Sequence, residues 1–292
     1  MDARKLRHFL AVAQEGSFTR AAEALHIAQP SLSQSVRSLE QELGTPLFHR
    51  LPRALRLTPA GEALLAPAHR ALRAMRDAEE SVHAVSGLAT GRLELVVPRA
   101  LSVYPAARLV AAFHREHPGV TVQVTEATDS ADAAEKVADG AAEAGVLELS
   151  TVPPDLRTWP LVDYELHLVL PPGQPAPDGP VPRAALRDLP LIALPPGTVT
   201  RRILEDAGAA ENIRAEVRSV HTLLELVLEG VGAGLANEPY ARIAAARGAH
   251  TAPVEPPYRH RVGVALGPSD GTPAARAFVT IALACFEAVG SA

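Results

Sequence analysis

The 292-residue sequence predicts an α/β protein in three parts: a small helical head with a basic hairpin, a long connecting helix, and a larger body of alternating strands and helices. Three observations predict it. Apolar residues recur every three or four positions from Leu6 to Leu43, the period of amphipathic helices. A second helical stripe runs from Pro59 to about Ser86, longer than most helices of a compact domain. From residue 91 onward, strand-like runs such as LELVV alternate with helix-length stretches, the pattern of βαβ units around a parallel sheet.

Leu6, Phe9, Leu10 and Ala13 stripe a first helix, which Gly16 ends, since glycine accepts a left-handed backbone cheaply. Ser17 caps a second helix through its hydroxyl oxygen, and Ala21, Ala22 and Ala24 let a neighbour cross closely. His26 to Ala28 make a turn, with Ile27 as the apolar plug beneath it. Pro30 stands where a third helix begins, a position that tolerates the missing N–H. Leu32, Val36, Leu39 and Leu43 then form one stripe. The opposite face carries Pro30, Ser33, Gln34, Arg37 and Gln41. Glu and Lys dominate ordinary exposed helix faces. Hydroxyls, amides and a guanidinium are the groups that pair with base edges and phosphates in a major groove.

After Gly44, TPLFHRLPRALRLTPAG alternates apolar Leu47, Phe48, Leu55 and Leu57 with Arg50, Arg53 and Arg56. Two short strands with outward arginines make a wing that reaches phosphates or the minor groove. The run LRHFLAVAQEGSFTRAAEALHIAQPSLSQSVRSLEQELGTPLFHR…LRLTPAG resembles, almost continuously from Leu6 to Gly61, the N-terminal domain of the LysR-type transcriptional regulators. The resemblance rests on Phe18, Ala21–Ala22, Gln29–Pro30–Ser31, Leu39–Glu40 and Leu47–Phe48 before Arg50. It implies a winged helix-turn-helix that binds double-stranded DNA as a dimer. On that reading Gln29, Ser33, Gln34 and Arg37 face base edges beside Pro30, while Ser17, Thr19, Ser31, Arg50 and Arg53 fix phosphates. Gln34 stands where many members carry Arg, so base preference there does not carry over.

Charge distribution agrees. Through Arg76 there are eleven Lys and Arg against six Asp and Glu, so this part carries +5 and the remainder −10 of the net −5. A basic head on an acidic body confines phosphate attraction to one end. With 47% hydrophobic residues the chain is globular. It lacks a run of about 18 apolar residues and a secretory leader, and a cytoplasmic, nucleoid-associated location is expected. Cys285, the single cysteine, falls in the apolar run AFVTIALACF and reads as a buried small hydrophobe.

Thr58 and Pro59 read as the cap and first residue of the connecting helix, whose Leu65, Ala68, Leu72, Met75 and Val82 recur at roughly heptad spacing. Packing on its own second domain and pairing with a second copy both fit this stripe. Pairing is favoured because two-fold contacts are the commonest route to dimers and the family resemblance implies it; a homodimer that assembles further into a homotetramer is expected.

In the body, strands are expected at 93–97, Val120–Glu126, Ala144–Leu147, Leu166–Leu170, Leu191–Leu194 and Arg261–Leu266. Helices are expected at Pro105–Glu116, Ala131–Asp139, Thr200–Ala207, Val220–Glu229, Pro239–Ala246 and Pro273–Val289. AAFHREHPGVTVQV, ADGAAEAGVLE, VLEGVGAGLANEP and TPAARAFV are similar, in order, to the family's effector-binding domain. That implies two α/β lobes of the periplasmic-binding-protein kind joined by two crossover strands. Glu143 replaces the usual Asp, and Asn237–Glu238 two usually apolar residues. The expected division is 1–58 DNA-binding, 59–90 linker helix and 91–292 effector domain, with lobe 1 at about 92–161 and 267–292 and lobe 2 at about 162–266.

Ligands in such folds bind beyond the carboxyl ends of strands, between the lobes. The segments there supply Arg99, Ser102, Thr128, Thr198, Thr200, His221 and Thr222. Hydroxyls and helix-start N–H groups suit a small acidic effector. Ser102, Thr200 and Thr222 fit equally as helix N-caps, and His221 as a surface or capping residue.

No nucleophile–base, metal-protease or phosphate-loop motif is present. His114 and His117 lack a third ligand nearby and suit a helix C-terminus. Gly230, Gly232 and Gly234 follow a helix and read as a C-cap and tight turn. No catalysis, cofactor, metal or membrane partner is expected. The remaining rival is a soluble small-molecule receptor whose N-terminal domain serves only dimerisation, which the basic wing disfavours.

Overall fold

The computed structural model describes residues 1–51, 54–84, 91–175, 178–267 and 271–287. In the head, α1 (Ala3–Glu15) starts at Asp2, whose carboxylate accepts the Lys5 N–H at 2.8 Å, and stops at Gly16. Ser17 caps α2 (Phe18–Ala24), accepting the Arg20 N–H at 3.4 Å. α3 (Gln29–Leu43) carries Pro30 in its first turn and ends at Gly44. Leu6, Phe9, Val12, Ala21, Ala22, Leu32, Val36 and Leu39 fill the space between the three helices. Leu43, expected on the buried stripe, is 40% exposed, because the last turn of α3 runs past this core.

β1 (Phe48–Leu51) and β2 (Ala54–Leu57) form the antiparallel wing. Phe48 ties it to the head, its ring 5.5 Å from Phe9 and 5.8 Å from Phe18. Glu40 of α3 fixes the approach, its carboxylate accepting the Leu47 and Phe48 amides at 2.8 and 3.4 Å. Thr58 caps α4 (Pro59–Ala84), accepting the Gly61 N–H at 3.0 Å and donating to the Pro46 carbonyl at 2.7 Å. Gly61 is demanded by contact: a Cβ there would lie 2.2 Å from the Leu47 carbonyl oxygen. Leu64, Leu65, Ala68 and Leu72 pack on the head core, and Met75 is 52% exposed. The side chain of Val82, and residues 85–90 where the linker was expected to end, lie outside the described residues.

The body begins with β3 (Gly91–Pro98), α5 (Ala107–Glu116), β4 (Val120–Ala127), α6 (Ser130–Ala138) and β5 (Ala144–Glu148). The strands run parallel in the order β4-β3-β5, the expected βαβαβ unit. α5 starts two residues later than expected, because Tyr104 precedes Pro105 and takes extended backbone (φ −141°, ψ 120°). β6 (Arg157–Leu170) begins well before the expected Leu166 and joins the lobes. Its first part pairs with β12 and its second with β10 and β11.

The second lobe adds β7 (Val181–Pro182), β8 (Leu191–Ala193), α7 (Val199–Asp206), β9 (Ile213–Glu216), α8 (Val220–Leu228), β10 (Ala233–Asn237), α9 (Glu238–Ala245) and β11 (His250–Glu255). β12 (Arg259–Leu266) returns antiparallel between β5 and β6. It therefore lies in the sheet of the first lobe and not in the second lobe, where 162–266 was expected to end. α10 (Pro273–Glu287) covers that sheet with Phe278, which packs on Phe113 of α5 at 5.7 Å. Glu143, at the foot of β5, accepts the hydroxyl of Thr272, and Thr272 in turn caps α10.

Gly230 follows α8 as expected, whereas Gly232 and Gly234 serve close packing and not a cap. A Cβ on Gly234 would meet Leu223 of α8 at 2.6 Å, so β10 can lie against that helix only without a side chain there. Head and body touch where Arg73 of α4 donates to the Gly140 carbonyl, at 2.6 Å, just beyond the end of α6.

Candidate functional site

Two regions gather the residues singled out from the sequence. The first is the outer face of α3. Leu32, Val36 and Leu39 hold the helix from behind, which turns Gln29, Pro30, Ser31, Gln34, Arg37 and Gln41 outward and exposed. Ser33 is half-buried at the edge of that face, and Thr19 is exposed at the start of α2. Ser17 is spent as the α2 cap, which leaves its N–H and remaining lone pair for a phosphate. Among described residues no carboxylate pairs with Arg37, so its guanidinium is free to bind. On the wing, Arg56 and His49 are cross-strand partners and both exposed. His49 was not singled out from the sequence, and only its pairing with Arg56 brings it there. Arg50 lies on β1, but its side chain and the whole of Arg53 lie outside the described residues.

The second region is a cavity of about 320 Å³ between the lobes. Lobe 1 contributes Arg99, Thr128 and Asp129, and lobe 2 contributes Thr198, Arg218 and the Leu194–Gly197 turn. Helices α6, α7 and α8 all begin at this cavity, capped by Asp129, Thr198 and Ser219. Their free N–H ends favour anions.

Of the seven residues expected there, Arg99, Thr128 and Thr198 line the cavity and four do not. The Ser102 hydroxyl turns back to the Arg99 carbonyl at 2.9 Å. The Thr200 hydroxyl lies behind Thr198, 3.4 Å from its oxygen. His221 packs edge-on against Tyr240, ring centroids 5.3 Å apart, and Thr222 faces solvent. None of the three candidate caps is the N-cap of a regular helix. Thr198 and Ser219 take that position for α7 and α8, two and three residues upstream of Thr200 and Thr222. Arg218 was overlooked because β9, which delivers it to the rim, is a four-residue strand with no strong sequence signal.

A polar cluster closes the crossover side of the lobes. Glu148, at the end of β5, accepts from Ser150 at 2.9 Å and Tyr258 at 3.2 Å, and its other oxygen lies 3.3 Å from His260 Nδ1. Burial alone would raise this carboxyl, but the bonds from His260, Ser150 and Tyr258 outweigh it and hold it below the usual range. Tyr258 belongs to the chain between β11 and β12 and packs on the core of lobe 2, so this hydroxyl–carboxylate bond links the lobes. On α9, burial pushes the Tyr240 hydroxyl up to about 12.

Comparison with known families decides what this arrangement is. Residues 3–62 match the family described as "Bacterial regulatory helix-turn-helix protein, lysR family", and residues 86–286 match "LysR substrate binding domain". The chain belongs to the LysR family of transcriptional regulators. As a LysR-type protein it is a DNA-binding regulator with an effector-binding domain, which removes the receptor alternative. It is 34% identical to the HTH-type transcriptional regulator IlvR of Caulobacter vibrioides over 277 residues, 88% of this chain and 89% of that protein. It is 31% identical to the HTH-type transcriptional regulator XapR of Escherichia coli over 248 residues, 83% of this chain and 84% of that one. Among solved structures, full-length OxyR from Pseudomonas aeruginosa superposes with a TM-score of 0.73 at 27% identity, covering 97% of this chain and 93% of that one. The LysR-type chain holds one cysteine in its 292 residues, half-buried on α10, so it forms no internal disulfide. No helix among the described residues is long and apolar enough to cross a membrane.

Proposed function

We propose that this regulator reads promoter DNA as a homodimer, through Gln29, Ser33, Gln34 and Arg37 on base edges. Ser17, Thr19, Ser31, Arg50 and Arg53 hold the phosphates, and Pro30 sets the start of the recognition helix. A small acidic effector between the lobes modulates that binding. The protein acts by binding and carries no catalytic step, as the regulators it resembles are named for regulation alone. It works in the cytoplasm, where the chromosome is.

The observation that carries this reading is the outward amide, hydroxyl and guanidinium face of α3, braced by a closed apolar core. Pairing of α4 with the same helix of a second copy supplies the dimer, with Met75 as an apolar group the single chain leaves exposed. α6 supplies a route from effector to head. It begins at Asp129 on the cavity wall, and the turn that ends it offers the Gly140 carbonyl to Arg73 of α4. A nine-residue helix spans about 13 Å, so a shift at one end is delivered to the other.

A gel-shift titration with the DNA beside the protein's own gene tests the reading. A retarded complex is expected. Arg37→Ala should weaken it by about 1–3 kcal/mol if the guanidinium is bidentate to a base. No complex, or an Arg37→Ala variant that binds as tightly, would overturn the assignment of this face.

A further inference from the structure

The interlobe cavity carries a charge pattern more specific than a preference for acids. Each lobe places one arginine and one threonine on its wall: Arg99 with Thr128 on lobe 1, Arg218 with Thr198 on lobe 2. Between them lies an apolar floor that includes Ala100, Leu194, Pro195 and Val220. We infer that the ligand of this cavity is a small dicarboxylate with a short apolar middle, one carboxylate held by each lobe. The inference rests on the cleft being the effector site, as proposed above.

Both arginines are available. Arg218 has no acidic partner among the described residues. Arg99 approaches Glu126 at 3.5 Å, but both side chains are more than half exposed, 56% and 53%. Such a pair contributes little and gives way to a carboxylate that also gains the Thr128 hydroxyl. The opposing charge on the wall is Asp129. Its carboxylate accepts the Asp132 N–H at 2.9 Å and is spent on the start of α6. Two arginines and three helix starts therefore outweigh one engaged acid.

A single carboxylate would satisfy one arginine and leave the other facing an apolar floor. Two carboxylates neutralise both and span the gap. Because each arginine belongs to a different lobe, a two-headed ligand gains its second ion pair from bringing the lobes together, which a single carboxylate does not. A volume near 320 Å³ suits a chain of about four to eight carbons or one aromatic ring.

Isothermal titration calorimetry on the full chain tests this with matched probes: succinate, glutarate, adipate and phthalate against butyrate, pentanoate, hexanoate and benzoate. At least one diacid should bind at least about thirtyfold tighter than its matched monoacid. Arg99→Gln and Arg218→Gln should each weaken that diacid about ten- to hundredfold, and Arg218→Lys should recover part of the loss. Both positions are exposed, so folding should be unaffected, and an unchanged thermal midpoint checks this. Equal affinity for diacid and monoacid, or a diacid indifferent to Arg218→Gln, overturns the inference. Monoacids that bind through Arg99 and Thr128 alone would leave the effector cleft standing and remove only the second carboxylate. Silence from both series would sink the dicarboxylate and count against the cleft itself.

Discussion

Gly61→Ala tests how the wing is locked to the linker helix. The added methyl would start 2.2 Å from the Leu47 carbonyl oxygen and 2.8 Å from Leu57 Cδ2, and real Cβ contacts under 3.0 Å essentially do not occur. The wing and the first turn of α4 must therefore separate by about 0.8 Å. The same Leu47 carbonyl accepts the Thr58 N–H at 2.9 Å, so the shift lengthens the bond that joins wing to cap. Thr58 is also bonded to Pro46, which spreads the displacement to the turn after α3. A backbone displacement of this kind costs about 2–3 kcal/mol. The control is Gly44→Ala. Gly44 has φ 69° but nothing within 4 Å of its Cβ position, so only the left-handed backbone is penalised, at about 1 kcal/mol. Urea unfolding followed by circular dichroism ranks the two, and fluorescence anisotropy with operator DNA reads the displaced wing. If Gly61→Ala unfolds at the same urea concentration as Gly44→Ala, or above it, the contact does not govern the head.

Further outcomes follow from the same geometry. Glu148→Gln should destabilise the body by about 1–3 kcal/mol at pH 7. The folded carboxyl titrates below the unfolded one, so its contribution is present above about pH 4.3 and lost as pH falls through the folded value. The gap between variant and parent should close on acidification, and a gap constant down to pH 3 would refute this. Met75→Glu places charge on the exposed apolar face of α4 and should shift sedimentation equilibrium at micromolar protein toward monomer, whereas an unchanged dimer would remove Met75 from the pairing face. Arg73→Ala should leave operator affinity without effector within a factor of about two and reduce the change that effector produces, since coupling is a separate free energy from either binding step. Full effector response in that variant would exclude the Gly140 contact as the route.

The head was legible because its signals are local. Stripes of period 3.6, a Ser cap, a Pro at the first turn and Gly at two helix ends each act within a few residues, and α1 to α4 fall where those signals put them. The body was legible as alternating elements but not strand by strand. β10 reads AGLAN, without the branched residues that mark strands, because α8 packs directly on its glycine. β11 contains Pro253, which argues against a strand, and it is held by β6 over four residues and by the two-residue β7 over its last two. β12 carries an evident strand pattern, but only its pairing with β5 assigns it to lobe 1. The cleft was half legible for a related reason. Residues at helix starts can be found from sequence, but which of two neighbouring hydroxyls faces the cavity depends on where the cap falls. Thr198 caps α7 from the cavity wall, and Thr200, two residues on, lies about half a turn further round.

The charge split and the fold impose a division of labour on this chain. A body of −7 over residues 91–292 repels DNA, so an effector bound there is not expected to act by adding a DNA contact. It can act only by changing where the heads stand relative to one another. That requirement selects α4, because it is continuous with the wing at Thr58 and touches the body at Gly140. It also explains why the cavity lies between lobes and not inside one. A ligand buried within one lobe would change its stability but not its shape, whereas one gripped from both sides would bias the angle between two bodies between which, among the described residues, the chain crosses at β6 and at the segment between β11 and β12. On the proposed reading, α6 of lobe 1 is the element that would carry that change to the linker, through Gly140 and Arg73. The effector's affinity and the operator's affinity are two readings of one equilibrium, so each must alter the other by the same factor.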